Sequence, residues 1–261
     1  MILTVDIGNS NVVVGGFTAQ NEPVFVRRLL SRRDWDGPCW RRALESLLLE
    51  SGYLDAPEGC VLSSVAPELT ALICPSLEHL TGRPVLVVDA DLDDGLILVN
   101  YERKGLGNDR VVDAVAALAQ YPPPLAIFDL GTATTLSVLD AAGRLIGGMI
   151  LPGIQLSVDA LSARASQLPE ICLVPPKALL GTDAISCMQS GAVFGAAAQI
   201  DGLSERVEAQ LGQPVTTVVT GGVSRLIYPH CRRPLQYDEH LLLKGLQYLY
   251  IQEQSRKNNT I

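Results

Sequence analysis

The first seventeen residues consist of two apolar runs separated by a short polar turn. The run Ile2 to Val5 ends on a carboxylate, Asp6, and residues 8–11 (Gly-Asn-Ser-Asn) lead into a second run, Val12 to Phe17. This pattern predicts a β-hairpin. Glycine and asparagine tolerate turn conformations that direct successive N–H groups into one concavity, which attracts phosphate oxygens. The turn is therefore a candidate phosphate site, and Asp6 could hold Mg²⁺ through water, although a plain hairpin also explains the pattern.

A second segment repeats this arrangement about half a chain later. Residues 125–140 contain an apolar strand, Asp129, Gly131, a small hydroxyl residue at Thr132 and a second apolar strand. Two such units predict duplicated halves that face one another across a cleft. A nucleotide could be held in this cleft by both turns.

The pattern beyond these hairpins indicates α/β architecture, because apolar strands alternate with helical segments. We expect a first domain over residues 1–118 and a second over 119–261. A helix rich in glycine and alanine is predicted over 183–211, and its small-residue face fits either internal packing or a dimer seam. The chain is expected to close with a helix over 239–250 and a frayed polar tail from Ser255.

Composition excludes several classes of protein. The 261 residues are 48% apolar and 18% charged, which is typical of globular chains. A net charge of −8 argues against general affinity for nucleic acid or anionic membranes. No apolar run reaches the ~18 residues of a membrane span, so we expect a soluble cytoplasmic protein. The six cysteines form no C-x-x-C pair and the three histidines have no ligand-like spacing, which argues against zinc, redox and histidine-based sites.

Residues 100–121 interrupt the alternation of strands and helices. A loop containing Gly105 and Gly107 leads into a strongly apolar helix whose first turn carries Asp109 and Arg110. These two residues are candidate site residues. An N-cap role for Asp109 and a surface position for Arg110 are the alternatives.

Taken together, the motifs resemble the type III pantothenate kinases, which belong to the superfamily of acetate and sugar kinases, heat-shock ATPases and actin. The motifs occur in the family's order along nearly the whole chain. They are Asp6-x-Gly-Asn-Ser10, Gly107-x-Asp-Arg110, Asp129-x-Gly-Thr-Ala-Thr-Thr135, Gly147-Gly-x-Ile-x-Pro-Gly153, Gln189-Ser-Gly191 and Thr220-Gly-Gly222. The resemblance implies a homodimer of duplicated ribonuclease-H-like domains with an actin-like ATPase fold and an interdomain nucleotide cleft. It also implies phosphorylation of pantothenate by ATP, the first step of coenzyme A biosynthesis.

The resemblance also implies roles for individual residues. Asp109 would be the base that accepts the pantothenate hydroxyl proton, Arg110 would bind the pantothenate carboxylate with its planar fork, and Asp129 would bind K⁺ or NH₄⁺. Asp6 would hold Mg²⁺ through water. The implied ATP-binding residues are Asp6, Ile7, Gly8, Asn9, Ser10, Asn11, Val12, Val13 and Thr132. The implied substrate-binding residues are Tyr101, Gly107, Asn108, Asp109, Arg110 and Ala184.

Two positions depart from the family pattern. Ala165 and Ala184 stand where the family commonly has threonines that belong to the pantothenate pocket, the second of them reaching it from the partner subunit. A neutral hydrogen bond contributes ~0.5–1.5 kcal/mol, so losing two would weaken substrate binding by roughly 5- to 150-fold. Ser166 or Thr182 could supply a substitute hydroxyl.

Three functions are therefore compared. The first is an active pantothenate kinase, and the second is a kinase for another small hydroxy acid or amide, which the two alanines favour. The third is a nucleotide-binding regulatory or accessory protein of the same fold. Retention of Asp6, Asp109, Arg110 and Asp129 together argues against the third, because a binding module needs no catalytic base.

Overall fold

A computed structural model of the protein describes residues 1–53 and 57–259. The strands are β1 Ile2–Ile7, β2 Asn11–Phe17, β3 Pro23–Leu30, β4 Gly59–Ser64, β5 Leu86–Val87, β6 Leu125–Leu130, β7 Ala133–Leu139, β8 Leu145–Pro152, β9 Thr216–Thr220 and β10 Gln236–Tyr237. The α-helices are α1 Gly37–Glu50, α2 Pro67–Thr81, α3 Asn108–Gln120, α4 Ile154–Arg164, α5 Ala184–Leu211, α6 Ser224–Ile227 and α7 Leu241–Asn259. Short 3₁₀ turns cover Arg103–Gly105 and Tyr228–His230.

The chain divides into two compact units. The first contains residues 1–95, 102–116 and the chain from 241 onward, and the second contains 96–101 and 117–240. This division differs from the single boundary expected after residue 118, because the closing helix α7 packs against β1, β2 and β4 of the first sheet. Sequence order alone does not show that a last helix returns to the first unit.

The two units repeat one topology, which confirms the predicted α/β fold with duplicated halves. The first sheet has the strand order β3-β2-β1-β4-β5, and the second has the same order in the corresponding strands, β8-β7-β6-β9-β10. The central strands β1 and β6 each pair antiparallel with the following strand and parallel with β4 or β9. Both sheets also carry a register shift at the corresponding place, Gly16/Phe17 and Val138/Leu139.

Each sheet buries one core beneath its helices. In the first unit, Trp40 and Leu44 of α1 pack with Val5 of the central strand. In the second unit, Val193 and Ala197 of α5 are buried in the same core as the β-sheet residues. Part of the small-residue face of α5 therefore packs internally, and close approach of helix to sheet is the reason for small residues there.

One strand is very short, and the last helix is longer than predicted. Strand β5 pairs only at Leu86 and Val87. The predicted frayed tail is wrong as far as Asn259, because α7 continues through it. Ion pairs of Lys257 with Glu253, at 3.2 Å, and of Arg256 with Asp93, at 3.1 Å, accompany the extra turns.

Helices α3 and α7 make a close contact at Gly245, and this contact generates a stability prediction. A Cβ at Gly245 would lie 2.5 Å from the carbonyl oxygen of Val112 and 2.9 Å from the Cβ of Ala116. Such overpacking costs about 1–3 kcal/mol, of which the better helix propensity of alanine recovers up to ~1 kcal/mol. We expect Gly245→Ala to lower the free energy of unfolding by about 1–2 kcal/mol in denaturant titrations.

Gly195→Ala in α5 is the matched control. A Cβ at Gly195 would meet nothing within 4 Å, so this variant should gain about 0.5–1 kcal/mol from helix propensity. Equal shifts for the two variants would contradict the proposed contact at Gly245.

Candidate active site

The first hairpin turn, residues 8–11, is fixed by the end of β3. The N–H of Gly8 donates to the carbonyl of Asn11 at 2.9 Å, which closes the turn. The hydroxyl of Ser31 donates to the carbonyl of Gly8 at 2.7 Å, and the N–H of Ser31 donates to the carbonyl of Ser10 at 3.0 Å. Asp6 is half-buried directly before this turn, opposite Ser63 of β4.

These bonds change the expected phosphate site in one detail. The N–H of Gly8 is used inside the turn, so it is not one of the groups aimed at a ligand. Asn9 and Ser10 are exposed at the tip. Arg33 brings a cation to the tip, since its Nη2 donates to Asn9 Oδ1 at 3.3 Å and its Nη1 pairs with Glu68 at 2.8 Å.

The second hairpin turn repeats the first with one residue fewer. The N–H of Gly131 donates to the carbonyl of Ala133 at 3.0 Å, and Thr132 is exposed at the tip. Gly153, the residue that precedes α4, lies against this turn. Any Cβ at Gly153 would overlap the carbonyl oxygens of Gly131 and Thr132, so the Pro-Gly motif explains how the helix approaches the turn.

Asp129 ends β6 as Asp6 ends β1. It is half-buried and lies opposite Thr135 and Thr220. Gly221 has φ +97°, and a Cβ there would overlap Asp129 Oδ1 and the backbone N of Leu130. Glycine at 221 is thus required by the backbone conformation and by the space that the Asp129 carboxylate occupies.

The start of α3 presents Asp109. This residue is the second of the helix, so the N-cap alternative does not hold. Its Oδ1 accepts a hydrogen bond from the N–H of Arg110 at 2.8 Å, and the same oxygen occupies the space where a side chain at Gly107 would be. Among the described residues, no hydrogen bond to Oδ2 is found, and the side chain is half-buried. That oxygen is therefore available to accept a proton.

Arg110 is buried, with 6% of its surface exposed. The alternative of a surface charge is therefore wrong. Burying a guanidinium is costly unless it is compensated by partners. An arginine held at this depth beside a carboxylate with an available oxygen is consistent with a binding role.

Arg103, which the sequence analysis did not single out, holds the loop before α3. Its Nε donates to Asp94 Oδ2 at 3.1 Å, and its Nη2 donates to the carbonyl of Asp89 at 3.0 Å. Its Nη1 donates to Asn108 Oδ1 at 3.1 Å and to the carbonyl of Leu106 at 3.4 Å. The sequence carried no signal for this, because the partners lie on both sides of a glycine-punctuated loop. The sequence likewise carried no signal for Ser31 and Arg33, because their contacts depend on the register of β3.

Ala184 is the first residue of α5 and is exposed. The preceding residue, Asp183, caps the helix by accepting from the N–H of Ser186 at 2.9 Å, and these bonds lower the pKa of the Asp183 carboxyl. Thr182 and Ser166 are both exposed, so their hydroxyls are accessible from solvent. Ala165 is half-buried at the end of α4.

The predicted site residues are divided between the two units. Asp6 to Val13 and Gly107 to Arg110 belong to the first unit, while Tyr101, Asp129, Thr132 and Ala184 belong to the second. Tyr101 is half-buried.

In the described part of the chain, neither a metal cluster nor the thiols of Cys60 and Cys231 add to the site. Within residues 1–53 and 57–259, no group of three or more His, Cys, Asp or Glu side chains is placed to hold a metal ion. All six cysteines are free, and burial raises the pKa of the Cys60 thiol and brings that of Cys231 to about 12, so both are poor nucleophiles. In the part of the chain that the structure describes, no helix is long and apolar enough to span a membrane.

Comparison with known proteins gives consistent matches. A family model described as type III pantothenate kinase matches residues 2–206. A type III pantothenate kinase from an Exiguobacterium species is 38% identical over 256 residues, covering 97% of this chain and 100% of that protein.

Two solved structures are similar in fold. One is the activator of the 2-hydroxyisocaproyl-CoA dehydratase from Clostridium difficile with bound ADPNP, with a TM-score of 0.54, 13% identity and coverage of 99% of this chain and 97% of that one. The other is the ROK hexokinase from Thermus thermophilus, with a TM-score of 0.50, 16% identity and coverage of 97% and 99%. At these identities the likeness concerns the fold alone, and it confirms the predicted actin-like ATPase fold class.

Proposed function

This chain belongs to the type III pantothenate kinase family, and from this premise we propose how its own residues phosphorylate pantothenate. The reaction transfers the γ-phosphoryl group of ATP to the pantothenate hydroxyl. Phosphoryl transfer depends on positioning and charge neutralisation more than on covalent help. The residues must therefore bind phosphates and metal, orient the hydroxyl and remove its proton.

The first task is assigned to the turn at 8–11, and Thr132 of the second unit is the further phosphate-binding residue that the family resemblance implies. Asn9, Ser10 and Thr132 present exposed polar groups at hairpin tips, and Arg33 adds a positive charge beside Asn9. Asp6 fits the Mg²⁺ of Mg-ATP, because Mg²⁺ usually keeps several waters and is bound through one or two carboxylates plus substrate phosphates. The bound metal would neutralise the charge that develops on the phosphates.

The second task falls to Asp109 and Arg110. The available Oδ2 of Asp109 is the single observation that carries this assignment. A carboxylate within reach of the hydroxyl accepts its proton as the oxygen attacks. Arg110 next to it would bind the pantothenate carboxylate through two parallel hydrogen bonds. Gly107, Asn108 and Tyr101 are the further substrate-binding residues that the family resemblance implies.

Asp129 is proposed to bind a monovalent cation, K⁺ or NH₄⁺. It holds a position in the second unit equivalent to that of Asp6 in the first, and the backbone at Gly221 packs directly against its Oδ1. A carboxylate at this place could hold a large, weakly charged cation near the exposed turn that carries Thr132.

We further propose a homodimer, in which a second copy covers exposed apolar side chains of the second unit. Exposed apolar side chains occur on β8, on α4, before α5 and at its start. They are Met149, Ile150, Leu156, Leu161, Leu179, Leu180 and Ile185. A large exposed apolar surface marks an interaction site. Ala184 lies beside Ile185 and would be the residue presented to the partner's pocket.

The cytoplasm is the proposed location. Six free cysteines suit a reducing compartment.

A kinase for another small hydroxy acid is the second candidate function. The exposed methyl group of Ala184, where the family commonly has a threonine hydroxyl, is the observation that favours it. A regulatory or accessory role gains no support, since Gly107 leaves room for the Asp109 carboxylate, and a binding module would not need that space.

The role of Asp109 as a base predicts a specific kinetic change. Asp109→Asn should lower kcat by at least ~10², while the Kd for ATP stays within about twofold in calorimetry because the ATP turn is untouched. Glu205→Gln, an exposed carboxylate on α5, is the control and should match the unaltered protein. Near-normal turnover of Asp109→Asn would remove this residue from the mechanism.

The carboxylate-binding role of Arg110 predicts a selective effect on substrate binding. Arg110→Ala should raise the KM for pantothenate by at least ~10-fold, because a charge-assisted bond contributes about 1.5–3 kcal/mol. The KM for ATP should change far less in the same steady-state assays. Equal increases in both constants would indicate a general loss of structure instead.

If the protein is a dimer, a substitution that disrupts the interface should lower its mass in solution. The unaltered protein should scatter light as about twice the 28.0 kDa chain, and Ile150→Asp should shift it to the monomer because a carboxylate would be buried in the interface. Leu49→Asp, an equally exposed apolar position on α1, should stay dimeric. A monomeric unaltered protein would refute the dimer.

A further inference from the structure

The geometry points to Arg103 as a positioning residue that sets the start of α3 and, through it, the catalytic carboxylate. This inference rests on the proposed role of Asp109 as the base. Arg103 lies six residues before Asp109, in the short 3₁₀ turn of the loop. It belongs to none of the motifs in the sequence.

Two other segments of the chain meet at the Arg103 guanidinium. Asp94 and the carbonyl of Asp89 belong to the acidic segment after β5, and Asn108 is the first residue of α3. The pair with Asp94 is withdrawn from solvent, since 18% of the Arg103 side chain and 7% of the Asp94 side chain are exposed. A surface ion pair contributes little, whereas a largely buried, multiply bonded arginine fixes the groups around it.

The hydrogen bond from Arg103 to Asn108 connects Arg103 with the residue directly before Asp109. Asn108 precedes Asp109 directly, and the N–H of Val111 donates to the carbonyl of Gly107 at 3.3 Å as one of the bonds of the first helical turn. Asp109 Oδ1 in turn accepts from the N–H of Arg110. Holding Asn108 therefore holds the turn from which the Asp109 carboxylate projects.

The shape of the guanidinium explains why arginine is needed. Its Nε, Nη1 and Nη2 donate in three directions within one plane to acceptors on both sides of the loop. A lysine ammonium at the end of a flexible stem keeps the charge but loses this rigid fork. The loop has two glycines, Gly105 and Gly107, so without a fixed anchor it has little intrinsic preference for one conformation.

The main test compares Arg103→Met in two backgrounds. In the otherwise unaltered protein it should lower kcat by ~10- to 100-fold, because a displacement of about 1 Å of a catalytic group costs that much. The Kd for ATP should stay within about threefold. In the Asp109→Asn background, adding Arg103→Met should lower kcat by less than about threefold, because groups that act as one unit are not additive.

The opposite pattern would overturn the inference. An unchanged kcat in Arg103→Met, or the same fold-loss in both backgrounds, would mean that Arg103 does not act through Asp109. Arg27→Met on β3 is the control, since Arg27 is exposed and bonds to the carbonyl of its neighbour Val26, and it should leave kcat unchanged.

A second variant covers the case in which Arg103→Met does not fold. Arg103→Lys keeps the charge beside Asp94, so it should retain a melting temperature within a few degrees of the unaltered protein. It should still lose about 10-fold in kcat because one ammonium does not replace the fork. Full activity of Arg103→Lys would also overturn the inference.

A readout that needs no turnover separates this inference from the proposed function. Hydrogen exchange at the amides of Arg110 and Val111 should become at least ~10-fold faster in Arg103→Met, because local opening of the helix start is favoured. If the unaltered protein fails to phosphorylate pantothenate, the proposed function fails while this exchange result still stands or falls alone. Unchanged exchange at both amides would refute the anchoring role.

Discussion

The parallel pairing of each central strand with the strand after the crossover helix determines where the two strand-end carboxylates lie. β1 pairs with β4 and β6 pairs with β9, so Asp6 is opposite Ser63 and Asp129 is opposite Thr220. In parallel sheets the carboxyl ends of strands collect functional groups at one edge. A slip of one residue in either register would turn these carboxylates to the other face of the sheet. The positions of the two hairpin turns, of the glycines beside them and of the two carboxylates all depend on this pairing.

The sequence predicted the features that are local or repeated. The hairpins around Asp6 and Asp129 follow from apolar runs on either side of Gly-containing turns, and the duplication follows from their similarity. The helix beginning near Asp109 was also predicted, because its apolar run follows a glycine-rich loop. Each of these signals lies within about twenty residues of chain.

Features that depend on contacts distant in sequence were not predictable in this way. The return of α7 to the first sheet depends on packing against strands more than 170 residues earlier. Ser31 and Arg33 support the first turn only because β3 ends beside it. In the sequence, Arg103 does not differ from other charged loop residues. Its proposed role depends on the fold, which brings Asp94 and Asn108 together around it. The burial of Arg110 likewise follows from tertiary structure.

The chain combines the family's charged groups with two altered pocket positions. On the proposed assignment, Asp6, Asp109, Arg110 and Asp129 would supply what phosphoryl transfer requires, while Ala165 and Ala184 stand where the family resemblance implies two threonine hydroxyls. Replacing a pocket hydroxyl by a methyl group weakens substrate binding by a limited factor and does not abolish it. The strength of substrate binding can therefore change while the reaction type stays the same. If Ala184 belongs to the pantothenate pocket as proposed, we expect its substitution for threonine to alter substrate binding and not the phosphoryl-transfer step.

As a type III pantothenate kinase, this chain transfers phosphoryl groups from ATP to pantothenate. The most direct measurement is ADP release by the purified protein with Mg-ATP and K⁺ or NH₄⁺, with and without pantothenate. We expect ADP release that requires pantothenate and the divalent metal and is stimulated by the monovalent cation. ATP binding without any response to pantothenate would contradict it and would direct attention to other small hydroxy acids as the substrate.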